Sequence, residues 1–462
     1  MHVGQTLNIS CAGQVYRAAW AIRTIAAMIV AGLLSIEAGF ADGATRYQAT
    51  LLHPSGYYSS WAVAVSGGSQ VGFGSPLSDI GGTNGHALLW NGTADSAVDL
   101  HPAGFDMSIA HGVSGGSQVG SGSGPATGGK PHALIWTGTA ATAVDLHPAG
   151  FDRSDALAIS NGNQVGWGFT TFVGGVAHAI LWNGTAESAV DLHPTGFRRS
   201  VATGVSGGSQ VGSGIHTESN KSHALLWSGT ADSAVDLHPA ALEYSWSGDV
   251  WGETQVGFAG SGGSARAHLW NGTAASAVDL HPTGFDVSFA HGVSGGSQVG
   301  YGYVSDFSNS HALLWRGTAE SVVDLHPYLA GLGPTFQYSV AEAIADNGRI
   351  VGYAVGDGGE QAILWTPIPE RPLPGDTNAD GTVDVHDLNN VRNHFGAGDG
   401  TDLSGIPGDA YPFDGLVNVD DLNAVRNKFG AASAVVPEPA SLSILVAACY
   451  FVLSQLKREF SS

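Results

Sequence analysis

"YQATLLHP", Tyr47–Pro54, has the form of a segment that recurs along the chain. It reappears as "SAVDLHP" at 96–102, "TAVDLHP" at 142–148 and in four later copies, the last being "SVVDLHP" at 321–327. Each later copy follows a Trp-ending segment such as "HALLW" (His86–Trp90), but Tyr47–Pro54 has none before it. At the far end the pattern is reversed. "QAILW" (361–365) has the Trp and lacks the segment that should follow. The chain thus opens with a last piece and closes without one.

The Trp landmarks stand at 90, 136, 182, 227, 270, 315 and 365, seven copies spaced by 43 to 50 residues. A period of this size marks a solenoid, an array or a propeller. Each unit holds four short strand-like runs, in one copy "SIAHGVS" (108–114), "SQVGSG" (117–122), "HALIW" (132–136) and "TAVDLHP" (142–148). Asn-Gly at Asn91 between the third and fourth runs signals a tight hairpin, because both residues tolerate positive φ. Four strands per unit at this period is the arithmetic of a propeller blade. The offset ends select among the architectures. If 47–54 supplies the fourth strand of the blade ending at Trp365, the ring closes and no open sheet edge remains. An open solenoid or β-helix, the alternative, gives no reason for the offset. The expectation is an all-β seven-bladed β-propeller over residues 47–365. The small residues of the first run, such as Ala110 and Gly112 or Ala202 and Gly204, place it at the crowded centre.

Composition agrees. Of 462 residues 68 are Gly and 12% are charged, and the net charge of -22 argues against a nucleic-acid partner, which would require a basic face. The two cysteines, Cys11 and Cys449, lie in apolar end segments, so the body has no disulfide framework. The run "TIAAMIVAGLLSI" (24–36) after Arg17 and Arg23 reads as a signal peptide over 1–41, cleaved near Ala41. At the other end, 440–456 is an apolar run marginal for a membrane helix, followed by Lys457 and Arg458.

Chemistry has few places to sit. Strand alternation puts the fourth-to-first and second-to-third loops on one face. The first carries His53, His101, His147, His193, His238, His281 and His326, often followed by an aromatic: Tyr57, Phe105, Phe151, Phe197 or Phe285. The second diverges between copies at 73–85, 121–131, 167–177 and 301–310. A regular frame with variable loops on one face is how scaffolds present a binding surface. A His repeated in every blade is read as a backbone-bonding residue at a strand end, and no catalytic residue is assigned. Departures from the repeat are Glu243, Asp249 and Glu253 in blade five, and Glu342 in blade seven where others carry His, Thr or Leu. Glu253 and Glu342 in one cleft would favour an enzyme.

After a linker at 366–374 the composition changes. In "DTNADGTVDVHD", Asp376, Asn378, Asp380, Asp384 and Asp387 occupy positions 1, 3, 5, 9 and 12 of a loop, Gly381 takes the turn and Thr382 offers its carbonyl. Hard oxygen donors at this spacing select Ca²⁺. A second copy 34 residues on matches at Asp414, Asn418 and Asp421, while its start departs: Asp409 is one residue too far away. Each loop feeds a short helical run, and two such helices packed together make one small domain.

These motifs carry three resemblances. Gln118-Val119-Gly120, His86–Trp90 and Asp99-Leu100 resemble the bacterial extracellular HAF repeats, which implies export and no defined activity. Residues 375–430 resemble dockerin type I, a small α-helical domain of paired EF-hand-type loops, which implies calcium binding and a cohesin-like partner; a calcium-rigidified spacer is the alternative. Val436-Pro437-Glu438-Pro439, the apolar run and the basic tail (435–460) resemble a PEP-CTERM sorting signal with its transmembrane helix. That implies a membrane anchor before processing and a place at the bacterial envelope or outer surface. The reading favours an exported, non-catalytic binding and scaffold protein with a cohesin-like protein or an extracellular polysaccharide as partner. A carbohydrate-active enzyme recruited by the dockerin-like module is the alternative.

Overall fold

The computed structural model describes residues 46–78, 84–170, 175–304, 309–368 and 385–394, with Val383, Val417, Leu422, Asn423, Val425 and Arg426. The chain divides into two units, Tyr47–Ile368 and the two chain ends beyond it.

The first unit is a closed seven-bladed β-propeller, seven four-stranded antiparallel sheets. Blades 1 to 6 take four successive strands each: β2–β5 (57–99), β6–β9 (107–145), β10–β13 (151–191), β14–β17 (197–236), β18–β21 (244–279) and β22–β25 (287–324). Blade 7 joins β26 (Phe336–Ile344), β27 (Ile350–Gly356) and β28 (Gly359–Ile368) to β1 (Arg46–Leu51), in the order β1-β28-β27-β26. The orphan segment at the start therefore completes the blade of Trp365.

The innermost strands are the first of each blade, from β2 (Tyr57–Ser66) to β26, and each carries a bulge at an equivalent place, for example between Ala110 and Gly112 and between Ala341 and Ala343. A bulge inserts one extra residue and re-aims its side chain. The partner strand must come very close there. A Cβ on Gly120 would lie 1.9 Å from the Ile109 carbonyl oxygen, and one on Gly352 1.9 Å from that of Val340. The glycine of every "QVG" run, and Gly352 of the "IVG" run in blade 7, is thus a steric requirement of the bulge.

The fourth strands of blades 1 to 6 are shorter than expected, two residues each, as in Val98–Asp99. The expected Asn-Gly hairpin also differs. Gly92 has φ +86°, whereas among described non-Gly residues only Asn161 and Asn220 have positive φ. A 3₁₀ turn, Ala94–Ser96, follows, and Ser96 Oγ accepts the Asn91 N–H at 2.8 Å while donating to Thr93 O. The serine supplies the turn's hydrogen bonds, so the chain takes a wider loop.

The core lies between blades. All seven repeat Trp side chains are fully buried. Trp90 of blade 1 packs with Leu52 and with Ala362 and Leu364 of blade 7; Trp136 of blade 2 packs with Val71 and Leu100 of blade 1. Trp365 donates its indole N–H to Leu325 O, and the other six find no protein acceptor.

One serine per blade couples neighbours. Ser108 Oγ accepts the Ala87 N–H at 3.0 Å from blade 1 and meets His101 Nδ1 at 2.9 Å. The same bonds recur at Ser154, Ser200, Ser245, Ser288 and Ser339. They close the ring at Ser60, which accepts from Ala362 N at 3.0 Å and meets His53 Nδ1 at 2.8 Å.

In the second unit, α1 (Val385–His394) is helical, and so are Leu422, Asn423, Val425 and Arg426. Val383, Val391, Val417 and Val425 are buried together, with Leu388 and Leu422 against them. These are equivalent positions of the two copies, 34 residues apart. The expected signal peptide and sorting segment lie outside the described residues. Among the described residues no helix is long and apolar enough to cross a membrane.

Ser60→Ala is expected to leave the Ala362 N–H and His53 Nδ1 unpartnered at the ring seam. An unsatisfied buried group costs about 1–3 kcal/mol, so denaturant titration should show a loss of that order. Removing residues 46–52 should cost more, because it also strips β28 of its partner. Unaltered unfolding of Ser60→Ala would contradict the seam.

Candidate functional site

The His-Pro rim contains the residue types of a hydrolytic triad, arranged differently. Ser108 is fully buried. Its hydroxyl accepts from Ala87 N–H, so its own proton goes to His101 Nδ1. His101 Nε2–H then donates to Phe105 O at 3.1 Å. Asp99 binds a different histidine: Oδ2 accepts from His86 Nδ1 at 2.7 Å, while Oδ1 accepts the His101 backbone N–H at 2.8 Å. A nucleophile needs an exposed hydroxyl activated by a base that a carboxylate orients. Here the hydroxyl is enclosed, and the carboxylate orients the wrong ring. The two histidines stack at 3.9 Å, and equivalent stacks occur at His132/His147, His178/His193, His223/His238 and His311/His326. In blade 5 Arg266 replaces the outer histidine and pairs with Asp279 at 2.9 Å.

The rim aromatics are also structural. A Cβ on Gly122 would meet Phe105 at 2.7 Å and one on Gly214 would meet Phe197 at 2.6 Å. Each ring lies on a glycine of the second strand. Parts of three divergent loops, 79–83, 171–174 and 305–308, lie outside the described residues.

The asymmetric residues gather in the central channel. The bulge positions are Val63, His111, Leu157, Thr203, Gly248, His291 and Glu342, and they line a cavity of about 220 Å³. Asp249 also lines it and stands where every other blade has Ala or Gly. The Asp249 carboxylate accepts from Val250 N at 2.8 Å and Val293 N at 3.1 Å. Burial pushes its carboxyl up to about 6, against the pull of those two bonds. Glu342 accepts from His291 Nδ1 at 2.7 Å. Burial, with the Glu342 charge beside it, pushes the Tyr353 hydroxyl up to about 12. His111 Nε2 lies 3.6 Å from Asp155 Oδ1; burial works to lower its pKa, and the nearby Asp155 charge outweighs it, leaving it raised.

Of the four flagged carboxylates, the channel therefore unites Asp249 and Glu342. Glu253 is exposed on the turn after β18 (Tyr244–Trp251) and lines neither channel cavity. Glu243 is exposed on the rim, 3.8 Å from Lys221. Sequence reasoning missed His291 and His111, although each occupies the position where it singled out Glu342.

The calcium-loop residues Asp376, Asn378, Asp380, Thr382, Asp384, Asp414, Asn418 and Asp421 lie outside the described residues, as does the Asp387 side chain. Among the described residues no group of three His, Cys, Asp or Glu side chains could hold a metal ion.

The channel has a second, wider space on the opposite face from the His-Pro rim. It is a cavity of about 930 Å³ lined by the turns between first and second strands of the blades.

No family model matches the chain, and no curated protein is similar to it in sequence. Among solved structures it is similar to puromycin hydrolase, at 12% identity and TM-score 0.48, over 68% of this chain and 55% of that one. It is similar to a puromycin-hydrolyzing peptidase of Mycobacterium tuberculosis, at 10% and 0.47, over 71% and 56%. The β-propeller domain of the Trilobed protease from Pyrococcus furiosus matches at 8% and 0.46, over 69% of this chain and 95% of that one. The chain spans about half the length of the two puromycin-cleaving proteins.

The half-buried His-Pro histidines are expected to make the propeller acid-sensitive. Burial lowers the pKa of His53, His101, His147, His193, His238, His281 and His326 below the ordinary 6.5. Below 6.5 the unfolded chain then binds more protons than the folded one, so stability falls as pH drops through that window. His111 and Asp249, whose values are raised, act in the opposite direction and are outnumbered. The melting temperature is expected to fall between pH 7.5 and pH 5.5; a flat or rising profile would refute this.

Proposed function

We propose that this chain is an exported, surface-associated binding and scaffold protein without catalytic activity of its own. Its propeller binds a partner, an extracellular polysaccharide or a cohesin-like protein. Residues 375–430 form a calcium-dependent dockerin-like module, and the C-terminal segment is a PEP-CTERM-type sorting signal that holds the protein at a bacterial envelope until it is processed. The HAF-type character of the repeats supports the export. The observation that carries the non-catalytic reading is the wiring of the rim, where the seven inter-blade serines are all bound to a backbone amide and a histidine.

Support for calcium comes from donor spacing. Asp376, Asn378, Asp380, Thr382, Asp384 and Asp387 form a full set, with Asp414, Asn418 and Asp421 a partial one. The shared valine core of the two copies is consistent with a paired-loop module.

One observation favours the second reading, a polysaccharide-degrading enzyme. Asp249 and Glu342 share a channel cavity, and a carboxyl near 6 is poised for general acid work.

Two experiments test these readings. In thermal unfolding of the whole chain, Ca²⁺ at about 100 times its dissociation constant adds about 2.7 kcal/mol to the module. Asp380→Ala should abolish most of that gain and leave chelator-treated protein unchanged. Equal melting of variant and parent in both conditions would refute the calcium reading. Separately, the purified protein should release no reducing ends from a polysaccharide panel; release that Glu342→Gln abolishes would replace the non-catalytic reading with the enzyme.

A further inference from the structure

The wide channel mouth is built from one turn per blade. Five turns present a serine: Ser66, Ser114, Ser160, Ser206 and Ser294. Blade 5 presents Trp251 at the equivalent place, and blade 7 presents Asp346 beside it. Trp251 is 43% exposed, which is unusual in a protein that buries its seven repeat tryptophans completely. Its orientation is held. The indole Nε1–H donates to Asp346 Oδ1 at 3.0 Å, and Ser294 donates to the same oxygen. Behind it, Gly252 N–H donates to Ser206 Oγ at 3.4 Å. A ring fixed in this way loses little freedom when a ligand stacks on it.

Beneath the serines lies an apolar collar, one valine or isoleucine from each blade between Val65 and Ile344. The mouth thus combines an exposed aromatic, an apolar floor and a circle of hydroxyls. Its volume falls within the range of ligand sites. Asp346 is the only charged side chain lining it among the described residues, and Asp346 Oδ2 is left to accept from a ligand hydroxyl.

We infer that this mouth binds the terminal sugar of a neutral glycan end-on, one ring face against the Trp251 indole and its hydroxyls on Asp346 and the serines. A sugar ring offers C–H bonds on its faces and hydroxyls at its edge, the combination this lining accepts. Uronic or sulfated sugars would meet Asp346 and a chain of net charge -22. The inference deepens the polysaccharide partner proposed above and rests on it. It places the site on the face opposite the variable loops.

The test is calorimetric titration of the whole chain with neutral gluco-, manno- and xylo-oligosaccharides. The parent is compared with Trp251→Ala, Trp251→Phe and, on the other face, Phe151→Ala. Trp251→Ala is expected to weaken binding about tenfold or more, equivalent to about 1.4 kcal/mol. Trp251→Phe should retain part of the affinity, and Phe151→Ala should bind as the parent does. A shift in melting temperature identifies any variant that fails to fold, and the exposed turn at Trp251 leaves the core untouched. Binding unchanged by Trp251→Ala and lost in Phe151→Ala would overturn the channel site and leave a polysaccharide-binding protein. No binding by the parent to any member would overturn both the site and the polysaccharide partner.

Discussion

The closed ring depends on one repeated hydrogen-bonding unit, a buried serine hydroxyl between neighbouring blades. At Ser60 it joins strands from opposite ends of the propeller, and elsewhere it joins blades adjacent in sequence. Because the geometry is the same at the seam, the ring has no weak blade-to-blade contact of a different kind. The buried Trp side chains supply the apolar contact between the blades that the serines hold in register.

The wiring explains why so many reactive residue types produce no repeated active site. Histidine, aspartate and serine recur around the rim, yet each serine hydroxyl is committed to a backbone amide and a histidine, and each aspartate to a histidine or arginine and a backbone amide. Besides the divergent loops, the blades differ along the channel, where the bulge allows a side chain to change without disturbing a sheet. Within the channel, blade 5 departs at Asp249 inside and Trp251 at the mouth, and blade 7 at Glu342 and Asp346.

Much of this was legible in the sequence. Tyr47–Pro54, with no Trp segment before it, announced the closure, and the small residues of the first run placed that strand at the centre; the bulge and the reason for the "QVG" glycine came only from the strand register. The burial of His101 against Ser108 was foreshadowed only as backbone bonding, because the serine partner comes from the following blade. The Asn-Gly turn misled, since Ser96 acts through space on Asn91. Glu253 and Glu342 looked alike as departures from the repeat, and periodicity alone could not show that one sits on an outer turn and the other in the channel. Asp249 was visible as an outlier, but its link to Val293 crosses to the next blade. The mouth was not legible because Trp251 and Asp346 lie in turns of blades 5 and 7 and meet only across the channel.

The position of β1 has a consequence for how the molecule is made. β1 leaves the ribosome long before β28, the strand it pairs with, and so waits for almost the whole propeller to be made. Blades 1 to 6 can each assemble from local hairpins, but the circle cannot shut until the polypeptide is complete to Trp365. Until then β1 has no partner strand and its edges stay open to solvent. An interrupted or shortened chain would therefore be left as an open arc prone to association.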